Sequence, residues 1–444
     1  MRKKIMMMIL ISGLFLFCSD PIDAGEILRK IPVAEGLASH PVNGGRCLIS
    51  DDAYQYLAFY DGDHRLTVTK RKLGETQWEF AKLPETVGWD THNKVILFLD
   101  RVGNLHLTGN MHCAPLKYYR TETPGDIQTF KGLHKWQGKY EERVTYPNLL
   151  QLRDGALLMM YRYGGSGNGM RLLVRYNEDT QEWTGSGDSF ISGMNREPTC
   201  NAYPFGGIVE DENGVLHIAW CWRETPDVET NYDICYAKSD DQGVTWKRWD
   251  GHTHELPIRP ETADVVDDIE QKRGLMNGGS IVVDQNGIPY IGYTRFDEKG
   301  NNQLYVATPD EGTWKIVRIS NFDVRFWFEG RGTIPESPPI PHLSIRSDGK
   351  IRAGYSNSRI TPQKGVMTFT REQLVTMTPG TFPIEPPDPS GPSIPNLRAT
   401  NIGPLPDGQV HYMQQETAPP NRDRKPENPK TPTMIYLVET DGKN

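Results

Sequence analysis

The stretch Asp211-Glu-Asn-Gly214-Val-Leu-His-Ile-Ala-Trp220 joins a tight polar turn to a run of apolar residues that ends in an aromatic side chain. An Asp/Asn-Gly turn that leads into such a run is typical of a β-hairpin. The other clear copies of this unit have their glycines at Gly103, Gly155, Gly287, Gly349 and Gly408, and residues 50–60 form a degenerate first copy. A unit repeated at intervals of about 50–70 residues indicates one large repeat fold rather than several unrelated domains.

A second turn signal alternates with the first and ends in tryptophan. Its fullest form is Ser239-Asp-Asp-Gln-Gly-Val-Thr-Trp246, which matches the Asp-box hairpin found in many propellers. Partial copies end at Trp78, Trp183 and Trp314. Repeated units that each supply four short strands fit a β-propeller. We therefore predict an all-β, seven-bladed β-propeller that forms a single domain over residues 25–444, with the Pro-rich stretch 379–395 as a long loop inside it.

The composition agrees with many short strands and excludes several classes of protein. The chain has 43 Gly and 33 Pro, while aromatic residues make up 10% and hydrophobic residues 37%. A disordered chain is poorer in aromatic residues, and a polytopic membrane protein is far more apolar. The net charge is −8 and no basic block is present. Nucleic acid is therefore excluded as a partner, although a local cluster of Arg and His can still bind an anionic ligand.

The N-terminal residues have the features of an export signal. Arg2, Lys3 and Lys4 precede an apolar segment, 5–17, that is too short to span a bilayer. We predict a signal peptide over residues 1–24 and a secreted or periplasmic protein with no membrane span. Lipoprotein processing at Cys18 is the alternative, but Phe17 fits the required motif poorly.

The remaining cysteines do not form a recognisable framework. They are Cys47, Cys113, Cys200, Cys221 and Cys235. An odd number at irregular spacing argues against a set of disulfides, and the absence of a CxxC motif leaves a zinc knuckle unsupported. We interpret these residues as buried free thiols.

Candidate functional residues are concentrated in a few loop segments, as expected for a propeller that binds its ligand at one face. These segments are 88–93, 107–112, 141–148, 161–169 and 200–204. The run Gly-Gly-Ser-Gly-Asn-Gly at 164–169 lacks the Lys-Ser/Thr of a phosphate-binding loop and opens no helix, which excludes that class of site. Taken singly, each His, Tyr or Arg in these segments also has an ordinary structural explanation.

Taken together, the segments resemble the Asp-box (BNR repeat) family of seven-bladed propellers that contains ulvan lyases and enzymes acting on rhamnosyl-glucuronate linkages. The resemblance extends to Trp220-Cys-Trp-Arg-Glu-Thr-Pro-Asp227, Met276-Asn-Gly-Gly279 and Arg295-Phe-Asp-Glu-Lys-Gly300. It covers nearly the whole chain after the predicted signal peptide. It implies a polysaccharide lyase whose partner is an anionic, uronate-containing polysaccharide or oligosaccharide.

The resemblance also implies a uronate site, which by motif match consists of His92, His112, Tyr146, Arg162 and Tyr203. Elimination across C4–C5 of a uronate requires neutralisation of the carboxylate, removal of the C5 proton and protonation of the leaving O4. We assign neutralisation to Arg162 helped by His92, because a guanidinium offers a fixed, forked cation. His112 and Tyr146 share the base and acid roles in an undecided order, and Tyr203 orients the sugar.

Two alternative functions stay open from the sequence. The family is also linked to α-L-rhamnosidase chemistry at the opposite propeller face, for which His40 is the candidate. A non-catalytic glycan-binding propeller is the third class, although all five lyase positions here carry residues competent for the reaction. The elimination requires no metal or other cofactor, and the dispersed Cys, His and Asp residues are compatible with a structural Ca²⁺ or Zn²⁺.

Overall fold

The computed structural model describes residues 26–42, 47–185, 189–332, 334, 336–377, 382–386, 397–404, 410–418, 424–426 and 432–441. The predicted signal peptide at 1–24 lies outside the described residues, as does most of the Pro-rich stretch at 379–395. Within the described residues, no helix is both long enough and apolar enough to cross a membrane.

The first strand, β1 (Ile27–Gly36), pairs with strands from the C-terminal part of the chain and belongs to sheet 7. The rest of the first half of the chain forms three antiparallel sheets. Sheet 1 contains β2 (Leu48–Ser50), β3 (Tyr54–Tyr60), β4 (Arg65–Lys72) and β5 (Glu79–Thr86). Sheet 2 contains β6 (Val95–Leu99), β7 (Leu105–Gly109), β9 (Tyr118–Thr121) and β10 (Phe130–Gly132). Sheet 3 contains β8 (His112–Ala114), β11 (Val144–Gln151), β12 (Leu157–Gly165), β13 (Asn168–Asn177), β14 (Glu182–Gly185) and β15 (Ile191–Ser192).

The second half repeats this arrangement. Sheet 4 contains β16 (Asn201–Pro204), β17 (Val209–Glu210), β18 (Leu216–Arg223), β19 (Asn231–Ser239) and β20 (Asp264–Asp267). Sheet 5 contains β21 (Ser280–Val283), β22 (Pro289–Phe296), β23 (Asn302–Asp310) and β24 (Thr313–Arg318). Sheet 6 contains β25 (His342–Ile345), β26 (Ile351–Ser356) and β27 (Lys364–Phe369), and sheet 7 joins β28 (Leu397–Pro404), β29 (Val410–Glu416) and β30 (Thr433–Thr440) to β1.

Helical structure is minor. The α-helix α1 (Arg371–Thr376) follows β27 and begins with a capping box between Thr370 and Gln373. Two single 3-10 turns span Ile127–Thr129 and Val228–Thr230. The prediction of an all-β fold is confirmed, and the described strands group into seven antiparallel sheets.

The repeated Asp-x-x-Gly turns explain where these strands begin. In the unit before β18, the Asp211 carboxylate accepts hydrogen bonds from the backbone N–H groups of Asn213 at 2.8 Å and Val215 at 2.9 Å. Gly214 completes the turn with φ +80°, a conformation that favours glycine. The repeat in the sequence is therefore a local turn chemistry that places a hairpin in each sheet whose turn the structure describes; the unit at Gly408 lies outside the described residues.

The hydrophobic core lies in layers between successive sheets. Each layer buries the inner faces of two neighbouring sheets against each other, as in stacked β-structures. Each layer has members from two neighbouring sheets, for example Leu437 of sheet 7 and Leu57 of sheet 1, Tyr56 and Leu97 of sheet 2, Phe98 and Tyr161 of sheet 3, Leu158 and Trp220 of sheet 4, Tyr203 and Tyr293 of sheet 5, and Tyr290 and Tyr355 of sheet 6. In sheet 7, β1 pairs with β30 over its length, which ties the two ends of the described chain together.

We expect Trp246→Ala to destabilise the protein by about 3–5 kcal/mol, because it leaves a large cavity in the core. Trp246 is fully buried in the layer between sheets 3 and 4, where its ring stacks on Phe190 with centroids 5.1 Å apart. The free energy of unfolding in urea measures the effect. Trp327→Ala is the control, since that side chain is 53% exposed; equal losses from the two changes would contradict this account.

Candidate active site

Strand pairing in sheet 3 brings three of the predicted residues to one place. In the antiparallel pairing of β8, β11 and β12, Thr145 lies opposite both His112 and Arg162. Tyr146 follows Thr145 directly in β11. His92 comes from a different part of the chain, the loop between β5 and β6, and reaches the same place from sheet 2. The predicted residues therefore meet at one end of sheet 3, although they are far apart in sequence.

A single carboxylate joins the two histidines. Asp90 Oδ1 lies 2.6 Å from His92 Nδ1, and Asp90 Oδ2 lies 2.6 Å from His112 Nδ1. The backbone N–H of His92 also donates to Asp90 Oδ1 at 3.0 Å. Partial burial opposes ionisation of this carboxyl, but the hydrogen bonds from His112 and His92 outweigh it and hold the pKa of Asp90 well below its usual range. The two imidazole rings are thus fixed side by side, with centroids 4.4 Å apart.

This bonding sets what each imidazole can do. A neutral imidazole that donates its Nδ1–H to a carboxylate keeps a lone pair on Nε2, so Nε2 is able to accept a proton. Both histidine side chains are about 30% exposed, so they are accessible to a ligand. Sequence reasoning missed Asp90, although it lies inside the segment 88–93; its position two residues before His92 was the available signal.

Tyr146 lies against both histidines in a constrained backbone. Its ring centroid is 5.9 Å from the centroid of each imidazole. Its φ is +53°, and the pairing of β11 with β12 shifts register between Thr145 and Asn148. Burial raises the pKa of Tyr146 to about 12, and the positive charge of Arg162 opposes this rise. The phenol is therefore protonated at neutral pH, and its hydroxyl has no hydrogen-bond partner among the described residues.

Arg162 forms the buried wall behind Tyr146. Its side chain is 1% exposed, and its guanidinium carbon lies 5.1 Å from the centroid of the Tyr146 ring. Nη2 donates to Thr145 Oγ1 at 3.0 Å and to Cys113 Sγ at 3.3 Å, while Nε has no partner in the described structure. Cys113 is an exposed thiol at this position, which corrects the prediction that all the cysteines are buried; the other four are buried.

Tyr203 extends the site into sheet 4. It lies in β16, with its side chain 8% exposed and its hydroxyl donating to the Ser166 carbonyl at 3.4 Å. The guanidinium of Arg223 lies over its ring, 4.4 Å from the centroid. Electrostatic interaction between the hydroxyls of Tyr203 and Tyr146 contributes to the raised pKa of Tyr146. Tyr203 therefore borders the same site from the neighbouring sheet.

His40 also belongs to this region. Its Nε2 lies 2.9 Å from the backbone carbonyl of Asp90, and its Nδ1 lies 3.1 Å from Ser39 Oγ. These contacts place His40 beside the loop that carries Asp90, and its role in α-L-rhamnosidase chemistry stays a prediction. Its side chain braces the loop that carries Asp90 and His92.

One set of donors in the described residues has the proximity to hold a metal ion, and it is the Asp90, His92 and His112 cluster. The two N–O separations of 2.6 Å within this cluster are those of short, charge-assisted hydrogen bonds. A metal ion that used the same nitrogen atoms would replace both hydrogen bonds. As hydrogen bonds, these contacts hold the two imidazoles in a fixed orientation.

Comparison with known proteins identifies the family of the chain. Residues 54–322 match the family described as "BNR repeat-containing family member". The long isoform of ulvan lyase from Glaciecola sp. (strain KUL10) is 34% identical over 104 residues, which cover 22% of this chain and 10% of that protein. The short isoform from Alteromonas sp. (strain LOR) is 26% identical over 211 residues, which cover 46% of this chain and 34% of that protein. The aligned regions thus span between 10% and 34% of the length of these curated relatives.

Solved structures share the fold over almost the whole chain. The polysaccharide lyase Uly1 superposes with a TM-score of 0.62 at 14% identity, covering 94% of this chain and all of that one. A PL25 ulvan lyase bound to -[GlcA(1-4)Rha3S]- superposes with a TM-score of 0.58 at 12% identity, covering 96% of each chain. At such low identity these comparisons establish the fold.

Proposed function

Because the chain belongs to the BNR repeat-containing family, we propose that it is a polysaccharide lyase that breaks the bond to O4 of a glucuronate-type sugar by β-elimination. The observation that carries this proposal is the pair of histidines held on one carboxylate, Asp90, beside a protonated tyrosine. Such a site offers a proton acceptor and a proton donor side by side, which elimination needs.

The first requirement is to offset the charge of the uronate carboxylate, so that the proton on C5 becomes acidic. Arg162 carries a buried positive charge at the wall of the site and has no acidic partner among the described residues. In a site of low dielectric, that charge acts more strongly on a nearby anion than it would in water. His92, whose side chain is 29% exposed, supplies a further hydrogen-bonding group for the carboxylate.

The geometry also favours one order of the proton transfers. His112 holds its Nδ1–H on Asp90, so its Nε2 is the acceptor for the C5 proton. Tyr146 is protonated at neutral pH and is therefore the donor to the leaving O4. Tyr203, at the border with sheet 4, orients the sugar. We assign His112 as the general base and Tyr146 as the general acid.

The substrate class follows from the relatives. The matching curated proteins are named ulvan lyases, and one structure of the same fold holds a glucuronate–rhamnose 3-sulfate repeat. We therefore propose that the bond cleaved joins rhamnose to glucuronate, in ulvan or in a rhamnose-capped glucuronate glycan. Export of the protein is part of this proposal and is supported by residues 1–24 of the sequence.

We further infer that the seven sheets are the seven blades of a propeller. Core layers lie between successive sheets from sheet 7 through sheet 1 to sheet 6, and β1 completes sheet 7 beside β30. Sharing the last sheet between the first and last strands is how propellers join their ends. Such a ring brings loops from several blades to one face, as the meeting of sheets 2, 3 and 4 requires.

The test is product analysis with the purified protein on ulvan and on a rhamnose-capped arabinogalactan. We expect new reducing ends together with an unsaturated uronate, whose conjugated double bond absorbs ultraviolet light. Heat-denatured protein is the control. Rhamnose release without a gain in absorbance would establish the α-L-rhamnosidase alternative. Binding of glycan without any product would establish the non-catalytic alternative.

A further inference from the structure

A second buried arginine lies beside Arg162. Arg171 is in β13, directly opposite Arg162 in the pairing of β12 with β13, and its side chain is 3% exposed. Directly opposite residues in an antiparallel pair project from the same face of the sheet, with Cβ atoms about 5 Å apart. Two guanidinium groups are therefore buried next to each other at the candidate active site.

Neither guanidinium has a carboxylate partner among the described residues. Arg171 donates from Nε at 3.0 Å and from Nη2 at 2.6 Å, both to the backbone carbonyl of Ala202, and Arg162 donates only to Thr145 and Cys113. Another buried arginine, Arg71, does meet a carboxylate, since its Nη2 lies 2.6 Å from Glu439. The pair formed by Arg162 and Arg171 thus departs from the rule that buried charges are paired.

Burying two positive charges side by side costs free energy unless an anion is bound next to them. Burial and the neighbouring charge of Arg162 both lower the pKa of Arg171, so the charged form of Arg171 is disfavoured in the absence of a nearby anion. A negative group that binds beside the two guanidinium groups stabilises their positive charges. The pair therefore forms a site of concentrated positive charge, and its bond to Ala202 places it between Arg162 and the strand that carries Tyr203.

We propose that Arg171 is a second, supporting cation of the active site, which together with Arg162 stabilises the dianion formed during elimination. This inference rests on the proposed lyase function. When His112 takes the C5 proton, the electron pair of the C5–H bond moves into the carboxylate, which then carries two negative charges. The pair returns to form the C4–C5 double bond as the C4–O4 bond breaks and O4 takes the proton of Tyr146. Two positive charges match the intermediate better than the singly charged substrate, so they favour catalysis over binding.

The test compares Arg171→Gln, Arg171→Lys and Arg175→Gln with the wild type. Arg175 is the matched control: it lies on the same strand and donates at 2.6 Å to the backbone carbonyl of Gln242, so it also joins sheet 3 to a backbone carbonyl, here in the loop that follows β19 of sheet 4. We expect Arg171→Gln to lower kcat by about 100-fold, the size of effect that loss of one stabilising group causes, with KM changed far less. Arg171→Lys keeps the charge and restores most of kcat, and Arg175→Gln leaves kcat unchanged.

The outcomes separate the charge role from a structural one. If Arg171→Gln lowers Tm as Arg175→Gln does but leaves kcat intact, Arg171 is a structural bridge and the inference is overturned. A rise in KM without a change in kcat would also overturn it, because the charge would then serve binding alone. Absence of unsaturated product from the wild type itself would instead refute the proposed function, and this role with it.

Discussion

Tyr146→Phe is expected to lower kcat for elimination by about 10³-fold, because it removes the proton donor to the leaving oxygen. An alkoxide at O4 is a poor leaving group unless it is protonated as the C–O bond breaks. The Tyr146 phenol has a pKa raised to about 12 and is protonated at neutral pH. Phenylalanine keeps the ring between the histidines and Arg162 but has no proton to give. The rate of formation of the unsaturated product measures the effect.

The fold should tolerate this change. The Tyr146 hydroxyl has no hydrogen-bond partner among the described residues, so we expect Tm to stay close to that of the wild type. Tyr163→Phe is the control, because Tyr163 lies in the neighbouring strand β12 and packs on Tyr140 at a centroid distance of 5.4 Å. It should keep full activity. A fully active Tyr146→Phe variant would exclude this residue as the general acid.

Asp90→Asn is the second change with a large expected effect, a fall in kcat of about 10²–10³-fold, in the range typical of general acid–base catalysis. The carboxylate accepts a hydrogen bond from the Nδ1–H of each histidine, and the N–O distance is 2.6 Å in both cases. An asparagine side chain offers one acceptor and one donor, so it cannot accept from both rings. One histidine must then place its proton on Nε2 or lose its orientation. If that ring is His112, the base is lost.

The effect of Asp90→Asn on the free energy of unfolding should depend on pH. Because the pKa of Asp90 is lowered in the folded protein, the unfolded chain binds its proton more readily as the pH falls. The stabilisation from this carboxylate is therefore complete above its ordinary pKa of 3.8 and is lost as the pH falls below it. The difference in unfolding free energy between wild type and Asp90→Asn should be larger at neutral pH than in acid. Asp52→Asn is the control, because Asp52 is exposed. A difference between wild type and Asp90→Asn that grows in acid would contradict the expected direction of the pH dependence.

Local sequence was enough to predict the strands. The Asp-x-x-Gly units are turns whose hydrogen bonds join residues two to four apart, as in the unit of Asp211 and Val215. The Asp-box that ends at Trp246 is equally local, with Asp241 accepting the backbone N–H of Thr245 at 2.9 Å. Contacts of such short range are encoded by neighbouring residues. They can therefore be read without knowing which sheets pack together.

The site was predicted only in part. His92, His112, Tyr146, Arg162 and Tyr203 came from the family resemblance, and the structure places them around one centre. Asp90 was missed because its position two residues before His92 is a weak signal among 57 acidic residues. Its importance comes from contact with His112, which lies 22 residues away in another sheet. Arg171 was missed for the same reason, since its partner across the strands is Arg162.

By itself, the sequence determined the all-β class, the positions of the turns and the set of residue types available for proton transfer. The tertiary structure decided which of these residues meet. It joins two histidines through Asp90 and places His40 against the backbone of the same aspartate. It also buries Arg162 and Arg171 side by side with no carboxylate partner among the described residues. The reason is physical: a turn depends on bonds between neighbours, whereas a charge or a pKa depends on whatever the register of separate strands brings within a few ångströms.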